Sequence, residues 1–412
     1  MNETKDKSSV RISGKVSVLV IVIAFAVALF ATAASLPLRL DEILQIATLR
    51  FHSHSSLLTS VAQTPGAAPL NYLLQAAVLK TVGNSLITGR FVSIVFAIGA
   101  LLAFWRLAVR CSIAWTLPAL GLFALLPIHF IMAAAAKPYE QALFFLILST
   151  IWFLRVSYSP TVKSAIIYSA FLLLCIYSEP FAFLPAIGYV LFFLRFINRK
   201  QERHAFWFLL PATVAPALLF LPYYVWAAQQ VNQNWIYSNI PSGPVYFQAL
   251  QAFAPIGSAG YIISALLLLS ALVALGKSFR ISAFPASDAI GLFSLAGGVV
   301  TTLVIVLLLD AADGSPVWPN HLFWVAPETI ILFFAALGWL IEHKGVTRIV
   351  AGAIAAVLTL LCVAGDVVYL RSAKSTDLKK EADAIPHDLT RDSCVVFVSE
   401  GLSRFLFLVF QP

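Results

Sequence analysis

The chain has 412 residues, of which 60% are hydrophobic and only 11% are charged, and its mean hydropathy is +0.89. A water-soluble domain cannot bury that much apolar surface, so the composition predicts an all-α polytopic membrane protein. The formal net charge of +8 does not indicate nucleic-acid binding, because Lys and Arg of membrane proteins collect in cytoplasmic loops. The four cysteines show no CxxC spacing, which predicts neither a disulfide framework nor a zinc site.

The first apolar run, 16–36, follows a basic N-terminal stretch and is long enough to cross a bilayer. Ala31-Thr32-Ala33 resembles a signal-peptidase site. Cleavage there would separate Asp41 from the helix that places it near the membrane. We therefore favour an uncleaved signal-anchor helix over a cleaved signal peptide.

Ten further apolar runs are predicted to span the membrane. They are 88–109, 113–133, 138–157, 164–179, 181–197, 205–227, 259–276, 287–309, 320–341 and 348–369. The segment 68–82 is also apolar, but its length is short for a span and suits a helix lying at the interface.

The distribution of positive charge supports an interfacial 68–82 helix. With that helix on the surface, sixteen of the 27 Lys and Arg fall in cytoplasmic loops and five fall on the outer side. If 68–82 crossed the membrane, every later loop would change sides and the bias would reverse. The positive-inside rule thus predicts eleven spans, a cytoplasmic N-terminus and an extracytoplasmic C-terminus.

This topology gives a transmembrane domain, 1–369, and a short extracytoplasmic tail, 370–412. The domain carries a long first outer loop, 37–87, and a second outer loop, 228–258. The tail turns apolar at 394–399, which has the pattern of a strand, but too little chain follows to build an independent sheet.

Polar side chains gather on the predicted outer side. They are Asp41, Glu42, Arg50, His52, His54, Arg90, Lys137, Tyr139, Glu140, Glu179, Asp310, Asp313, Asn320 and His321. Lys and Arg on the outer side oppose the positive-inside bias, so they are better functional candidates than the Lys and Arg of the cytoplasmic loops. A carboxylate base together with a few cations is what a site for an anionic lipid head group needs.

Short motifs in the chain resemble those of the C-type membrane glycosyltransferases. The closest branch holds the protein mannosyltransferases, the aminoarabinose transferases and the lipopolysaccharide-core galacturonosyltransferases. The matching features follow the first helix and precede later spans: Asp41-Glu42, Pro69-Leu70-Asn71-Tyr72, Gly83, Arg90, Lys137-Pro138-Tyr139 and, more loosely, Asn320-His321-Leu322. Motif-level similarity is confined to 37–100 and 127–145, whereas the pattern of spans is similar over nearly the whole chain.

The resemblance implies an inverting enzyme that takes a sugar from a polyprenyl-phosphate carrier in the bacterial-type plasma or inner membrane. The acceptor would be a lipid, glycan or protein on the extracytoplasmic side, and no nucleic acid would be involved. Asp41 and Glu42 would form the catalytic pair. Lys137, Arg90 and His321 would bind the donor phosphate, supported by Tyr72, Tyr139, Glu140 and Asn320. No cofactor is expected, although a divalent metal ion is not excluded by the motifs.

Simpler roles stay open for the same residues. Asp41 is either the catalytic base or a hydrated acid that ends the first helix. Glu42 either supports the site or lies on a solvated face. Arg90 either meets the donor phosphate or pairs with an acid of the loop. His52 and His54 form an isolated His-x-His without an evident third metal ligand.

Two departures from the family pattern affect the predicted site. Ala67 stands where the family often has His or Lys, and Asn320-His321 replaces an Arg-Tyr pair. Both changes remove cations, so a non-catalytic assembly partner is one alternative function. A transporter or lipid flippase is another, although such proteins usually carry charges near the membrane midplane and broken or repeated helices.

Overall fold

The computed structural model describes residues 3–36, 42, 45–46, 49, 56–64, 67–83, 85–113, 115–230, 286–313, 323–344, 347–375, 395–398 and 405–408. Within these residues the fold is helical apart from one hairpin. The α-helices are α1 (Glu3–Ser35), α2 (Leu57–Ala62), α3 (Pro69–Val82), α4 (Leu86–Arg110), α5 (Thr116–Ala124), α6 (Pro127–Ala133), α7 (Tyr139–Tyr158), α8 (Val162–Ser178), α9 (Leu184–Phe193), α10 (Lys200–Gln230), α11 (Ala286–Asp313), α12 (Ala326–Lys344) and α13 (Arg348–Ser375). Short 3₁₀ turns at Pro180–Phe183 and Leu194–Phe196 flank α9.

The helices of the described residues agree with the predicted spans. Seven are long and apolar enough to cross a membrane, and α5 and α6 form an eighth candidate bent by 55°. The predicted spans 164–179 and 181–197 match two shorter apolar helices, Val162–Ser178 and Pro180–Phe196. The predicted span 259–276 lies outside the described residues, so the total of eleven and the orientation of the termini stay predictions.

The exposed faces of several long helices are strongly apolar. Examples are Val20 on α1, Leu218 on α10 and Leu360 on α13, all more than half exposed. Rows of such residues are stable only where lipid or another protein covers them. The chain is an integral membrane protein, and one apolar core runs between α1 and the helices from α4 to α13.

Helix α3 has the length that the sequence predicted. Its 14 residues extend about 21 Å, which is less than the roughly 30 Å of a bilayer core. Pro69 occupies the first turn, where its missing N–H costs nothing, and Gly83 ends the helix with a φ of 106°. Asn71, Gln75 and Leu79 recur at helical spacing on its buried face.

A labelling experiment tests whether α3 crosses the membrane. Cysteines at Gln63 and Ser85, which are exposed on either side of α3, should both react with an impermeant maleimide added outside. The native Cys111, Cys175 and Cys362 are buried and would not interfere, and Cys394 would be replaced by Ser. A cysteine at the exposed Ser159, in a predicted cytoplasmic loop, should react only after permeabilisation. Reaction at only one of the two α3 sites would show that α3 spans.

The backbones of α9 and α11 approach each other closely. A Cβ atom on Gly188 would overlap the carbonyl of Gly297, and one on Gly298 would overlap the ring of Tyr189. Small residues let membrane helices approach to this distance and gain dispersion contacts along the interface. This contact sets the position of α11, whose C-terminal end leads to the segment that contains Asn320 and His321.

The tail contains a two-stranded antiparallel hairpin. Val395–Val398 (β1) pairs with Phe405–Leu408 (β2), in a register that places Val395 opposite Leu408. The strand predicted within 394–399 is confirmed. The partner strand was not predicted from the sequence. A lone hairpin is too small to be an independent sheet, as was expected from the sequence.

Candidate active site

A buried ion pair joins the first loop to α4. Glu42 follows α1 closely in the chain, and Arg90 lies in the first turns of α4. The guanidinium donates from Nε to Oε1 and from Nη2 to Oε2 of Glu42, both at 2.9 Å. Both side chains are almost completely buried. This two-bond geometry is the strongest that Arg and a carboxylate can form.

The same pair fixes two further segments. Arg90 Nη1 donates to the carbonyls of Ala33 and Leu36 at 2.8 Å, and these carbonyls lie at the C-terminal end of α1, where intrahelical partners are lacking. Glu42 Oε1 also accepts from the backbone N–H of Ala136 at 2.7 Å. One ion pair therefore joins the end of α1, the first loop, α4 and the connection between α6 and α7.

These contacts bear on the alternatives that the sequence left open. Glu42 does not lie on a solvated face, since it is 1% exposed. Arg90 is paired with an acid of the loop, and its buried guanidinium is directed to Glu42 and to the end of α1. The geometry favours a supporting role for both residues. The assignment of Glu42 to catalysis and of Arg90 to phosphate binding stays an untested prediction.

A network of buried amides connects the first loop to α3, α4 and α7. Gln45 Nε2 donates to Asn71 Oδ1 at 2.9 Å and to Gln75 Oε1 at 2.8 Å. Asn71 Nδ2 donates to Gln141 Oε1 at 2.9 Å, and Gln75 Nε2 donates to the carbonyl of Gly89. Buried amides are costly unless they are bonded, so this network strongly favours one arrangement of the loop.

Sequence reasoning did not identify this network. Asn71 belongs to the Pro-Leu-Asn-Tyr motif, and Gln75 lies one turn later on an otherwise apolar helix. The signal available in the sequence was the spacing of these two amides, because side chains four residues apart lie on the same face of a helix. Tyr72, predicted as a supporting residue, is 5% exposed and packs in an apolar cluster with Leu49 and Val61, and its supporting role stays a prediction.

Lys137 lies in the connection 134–138 between α6 and α7. Its side chain is half-buried. Its backbone carbonyl accepts a hydrogen bond from Ser93 Oγ of α4, and its backbone N–H donates one to the same oxygen. Lys137 also lies close enough to Glu179 to interact electrostatically with its carboxyl.

Tyr139 and Glu140 follow Lys137 at the start of α7. The ring of Tyr139 lies 5.8 Å from that of Trp324, between centroids. Glu140 is completely buried, and its Oε2 lies 3.3 Å from Nε2 of His129. His129 is stacked between Phe25 and Phe123. The sequence singled out Glu140 but not its partner, because a lone His in the apolar helix α6 carries no motif.

Another buried carboxyl, that of Glu328, lies inside the bundle. The hydroxyl of Tyr189 on α9 donates to Oε1 of Glu328 on α12, and Thr150 Oγ1 lies 3.1 Å from the same hydroxyl. This contact links α7, α9 and α12 inside the bundle. Glu328 therefore has a hydrogen-bond partner, as a carboxyl in a membrane helix requires.

Three predicted site residues, Asp41, Asn320 and His321, lie outside the described residues, as do His52 and His54. In the part of the chain that the structure describes, no three His, Cys, Asp or Glu side chains come together at metal-binding distance. The described part of the site is thus a largely buried polar cluster formed by the first loop, the start of α4 and the connection 134–138.

The fold is shared with solved membrane glycosyltransferases, although no protein-family model matches the chain and no curated protein matches it in sequence. ArnT from Cupriavidus metallidurans in the apo state superposes with a TM-score of 0.50 and 14% identity, over 88% of this chain and 72% of ArnT. ArnT bound to undecaprenyl phosphate gives 0.49 and 13% over the same shares. The Archaeoglobus fulgidus oligosaccharyltransferase tethered to an acceptor peptide gives 0.50 and 10%, over 86% of this chain and 55% of that enzyme. The chain has the fold of the C-type membrane glycosyltransferases, as its motifs predicted.

Proposed function

We propose that the chain is a glycosyltransferase that moves a sugar from a polyprenyl-phosphate carrier to a lipid, glycan or protein acceptor at the outer face of the membrane. The observation that carries the proposal is the fold shared with ArnT and with the oligosaccharyltransferase over most of this chain. ArnT binds undecaprenyl phosphate. A sugar carried on the same kind of lipid phosphate is the donor that we propose here.

The proposed reaction is a single displacement. Asp41 accepts the proton of an acceptor hydroxyl while the hydroxyl oxygen attacks the anomeric carbon of the donor. The bond between that carbon and the phosphate oxygen breaks, the polyprenyl phosphate leaves as an anion, and the anomeric centre is inverted. Lys137 and His321 stabilise the charge that develops on the phosphate, so the side chains supply the compensating charge.

The Glu42–Arg90 pair supports this reaction by holding the backbone next to Asp41. Consecutive Cα atoms are 3.8 Å apart, so an anchored Glu42 restricts where Asp41 can lie. The amide network anchors the same loop a turn further on, at Gln45. A base must be held within hydrogen-bonding reach of the proton that it accepts, and two buried anchors in four residues provide that restraint.

Lys137 provides a direct test of the donor site. Lys137→Ala should weaken the use of a polyprenyl-phosphate sugar about ten- to a hundredfold, because a charge-assisted contact contributes roughly 1.5–3 kcal/mol. The measurement is the donor KM and kcat/KM of purified protein in nanodiscs. Lys80→Ala is the matched control, since Lys80 is an exposed lysine on α3 outside the connection 134–138. An unchanged donor dependence in Lys137→Ala would remove this residue from the site.

The activity itself is tested by deleting the gene and comparing surface glycans and modified lipids by mass spectrometry. Loss of a sugar-bearing species, restored by the wild-type gene, supports the transferase. Accumulation of an unmodified substrate on the cytoplasmic side, with intact transfer in isolated membranes, would instead support a transporter or flippase. Unchanged glycans and lipids would overturn the proposal.

A further inference from the structure

We infer that Ser93 is a positioning residue for Lys137, acting from α4 on the backbone of the connection 134–138. This inference rests on the proposed function, because it assigns to Lys137 the contact with the donor phosphate. It adds a residue that the family motifs do not include and that sequence reasoning did not select.

The connection 134–138 has few hydrogen bonds of its own. The N–H groups of Ala134 and Ala135 continue the helical turns of α6. Within the connection, the N–H of Lys137 donates to the carbonyl of Ala135, two residues back, at 2.8 Å. Such a tight turn does not by itself fix the direction of the chain, so its position depends on bonds to neighbouring elements.

Ser93 provides two of these bonds. Its hydroxyl donates to the carbonyl of Lys137 at 2.9 Å and accepts from the N–H of the same residue at 3.3 Å. Ser93 is 1% exposed, so water does not compete for the hydroxyl. Holding both polar groups of one residue restrains the two backbone dihedrals that direct its side chain.

Helix α4 holds the preceding residue as well. Ala136 donates to Glu42, and Glu42 is held by Arg90, which lies three residues before Ser93. Residues three apart on a helix share a face. One face of α4 therefore holds both Glu42, the chain neighbour of the proposed base, and the connection that carries Lys137.

The side chain of Lys137 depends on this restraint because only part of it is packed. It is half-buried, whereas Ser93, Arg90 and Glu42 are enclosed. Releasing the backbone would leave the charge in the protein but allow the ammonium group to move. We expect weaker donor binding, but a smaller loss than the one that follows removal of the ammonium.

The test is a double-mutant cycle with Ser93→Ala and Lys137→Ala. Ser93→Ala should raise the donor KM between about two- and tenfold, which corresponds to the net contribution of one hydrogen bond. In the Lys137→Ala background it should have no further effect, because coupled residues are not additive. Ser93→Thr, which keeps the hydroxyl, should restore the wild-type KM. Ser157→Ala is the matched control, since Ser157 is a buried serine of α7 that bonds only within its own helix.

A second readout does not depend on activity. Acylation of Lys137 by an impermeant amine reagent, followed by peptide mass spectrometry, should be several-fold faster in Ser93→Ala than in the wild type. Lys80 should react at the same rate in both proteins. Equal Lys137 acylation, or equal costs of Ser93→Ala in the two backgrounds, would overturn the inference. A wild-type protein that binds no undecaprenyl phosphate would contradict the proposed function instead, and the acylation rates would still decide the role of Ser93.

Discussion

Asp41→Asn should slow sugar transfer by about 100-fold or more, the usual effect of losing a positioned base. Asparagine has nearly the size of aspartate and keeps most of its hydrogen bonds, but it cannot accept the proton of the acceptor hydroxyl. The loss should appear in kcat, with the donor KM little changed, because the donor phosphate is held by other residues. Initial rates with a polyprenyl-phosphate sugar in nanodiscs measure this difference.

Glu42→Gln is the informative comparison for Asp41→Asn. The two acids are neighbours in the chain, yet Glu42 is enclosed and bonded to Arg90 and Ala136. Its replacement should lower thermal stability in detergent, whereas Asp41→Asn should leave stability unchanged. Full rescue of a deletion strain by Asp41→Asn at native expression would refute the base assignment. The transporter and assembly-partner functions would then become the leading ones.

Arg90→Leu should lower the free energy of unfolding by about 3–5 kcal/mol, the cost of removing one partner from a buried ion pair. The variant leaves the carboxylate of Glu42 enclosed without its counter-charge. It also leaves the carbonyls of Ala33 and Leu36 without the guanidinium donors. Arg90→Lys should recover only part of the loss, because an ammonium cannot make the same pair of parallel bonds. The measurement is the midpoint temperature of thermal unfolding in detergent.

Two variants test whether the loss of stability in Arg90→Leu comes from the buried ion pair or would follow the removal of any arginine. Arg199→Leu breaks an ion pair with Glu202 in which Arg199 is 43% exposed and the N–O distance is 3.7 Å, so its cost should stay below about 1 kcal/mol. The double replacement of Arg90 and Glu42 by Leu and Met should be less destabilising than the sum of the single changes, because no charge is left unpaired. Equal destabilisation by Arg90→Leu and Arg199→Leu would show that the buried pair has no special importance.

The sequence predicted the spans well because bilayer thickness fixes how long an apolar run must be. Helices α1, α4, α7 and α10 cover the predicted segments, and the fourteen-residue α3 has the length of an interfacial helix. The bend between α5 and α6 was not predicted, although Pro127 stands directly after it. A run such as 113–133 has the hydropathy of one straight helix.

The partners of the candidate residues were harder to predict than the residues. The motifs selected Glu42 and Arg90, which are 48 positions apart in the chain, but their bonding follows only from the packing of α1 against α4. Ser93 and His129 were missed for a related reason. Each is a small or uncharged polar residue with apolar neighbours on its helix, and its significance lies in the backbone or side chain that the fold places against it.

The bend between α5 and α6 has a consequence for the charge of the membrane interior. At the break, Nδ1 of His129 lies 2.9 Å from the carbonyl of Phe123, which also accepts from the N–H of Leu126. A carbonyl can only accept, so Nδ1 must carry a hydrogen. The remaining nitrogen, Nε2, lies 3.3 Å from Oε2 of Glu140. The helix break therefore places an imidazole beside a buried acid, and one proton held by either side chain leaves the pair without net charge.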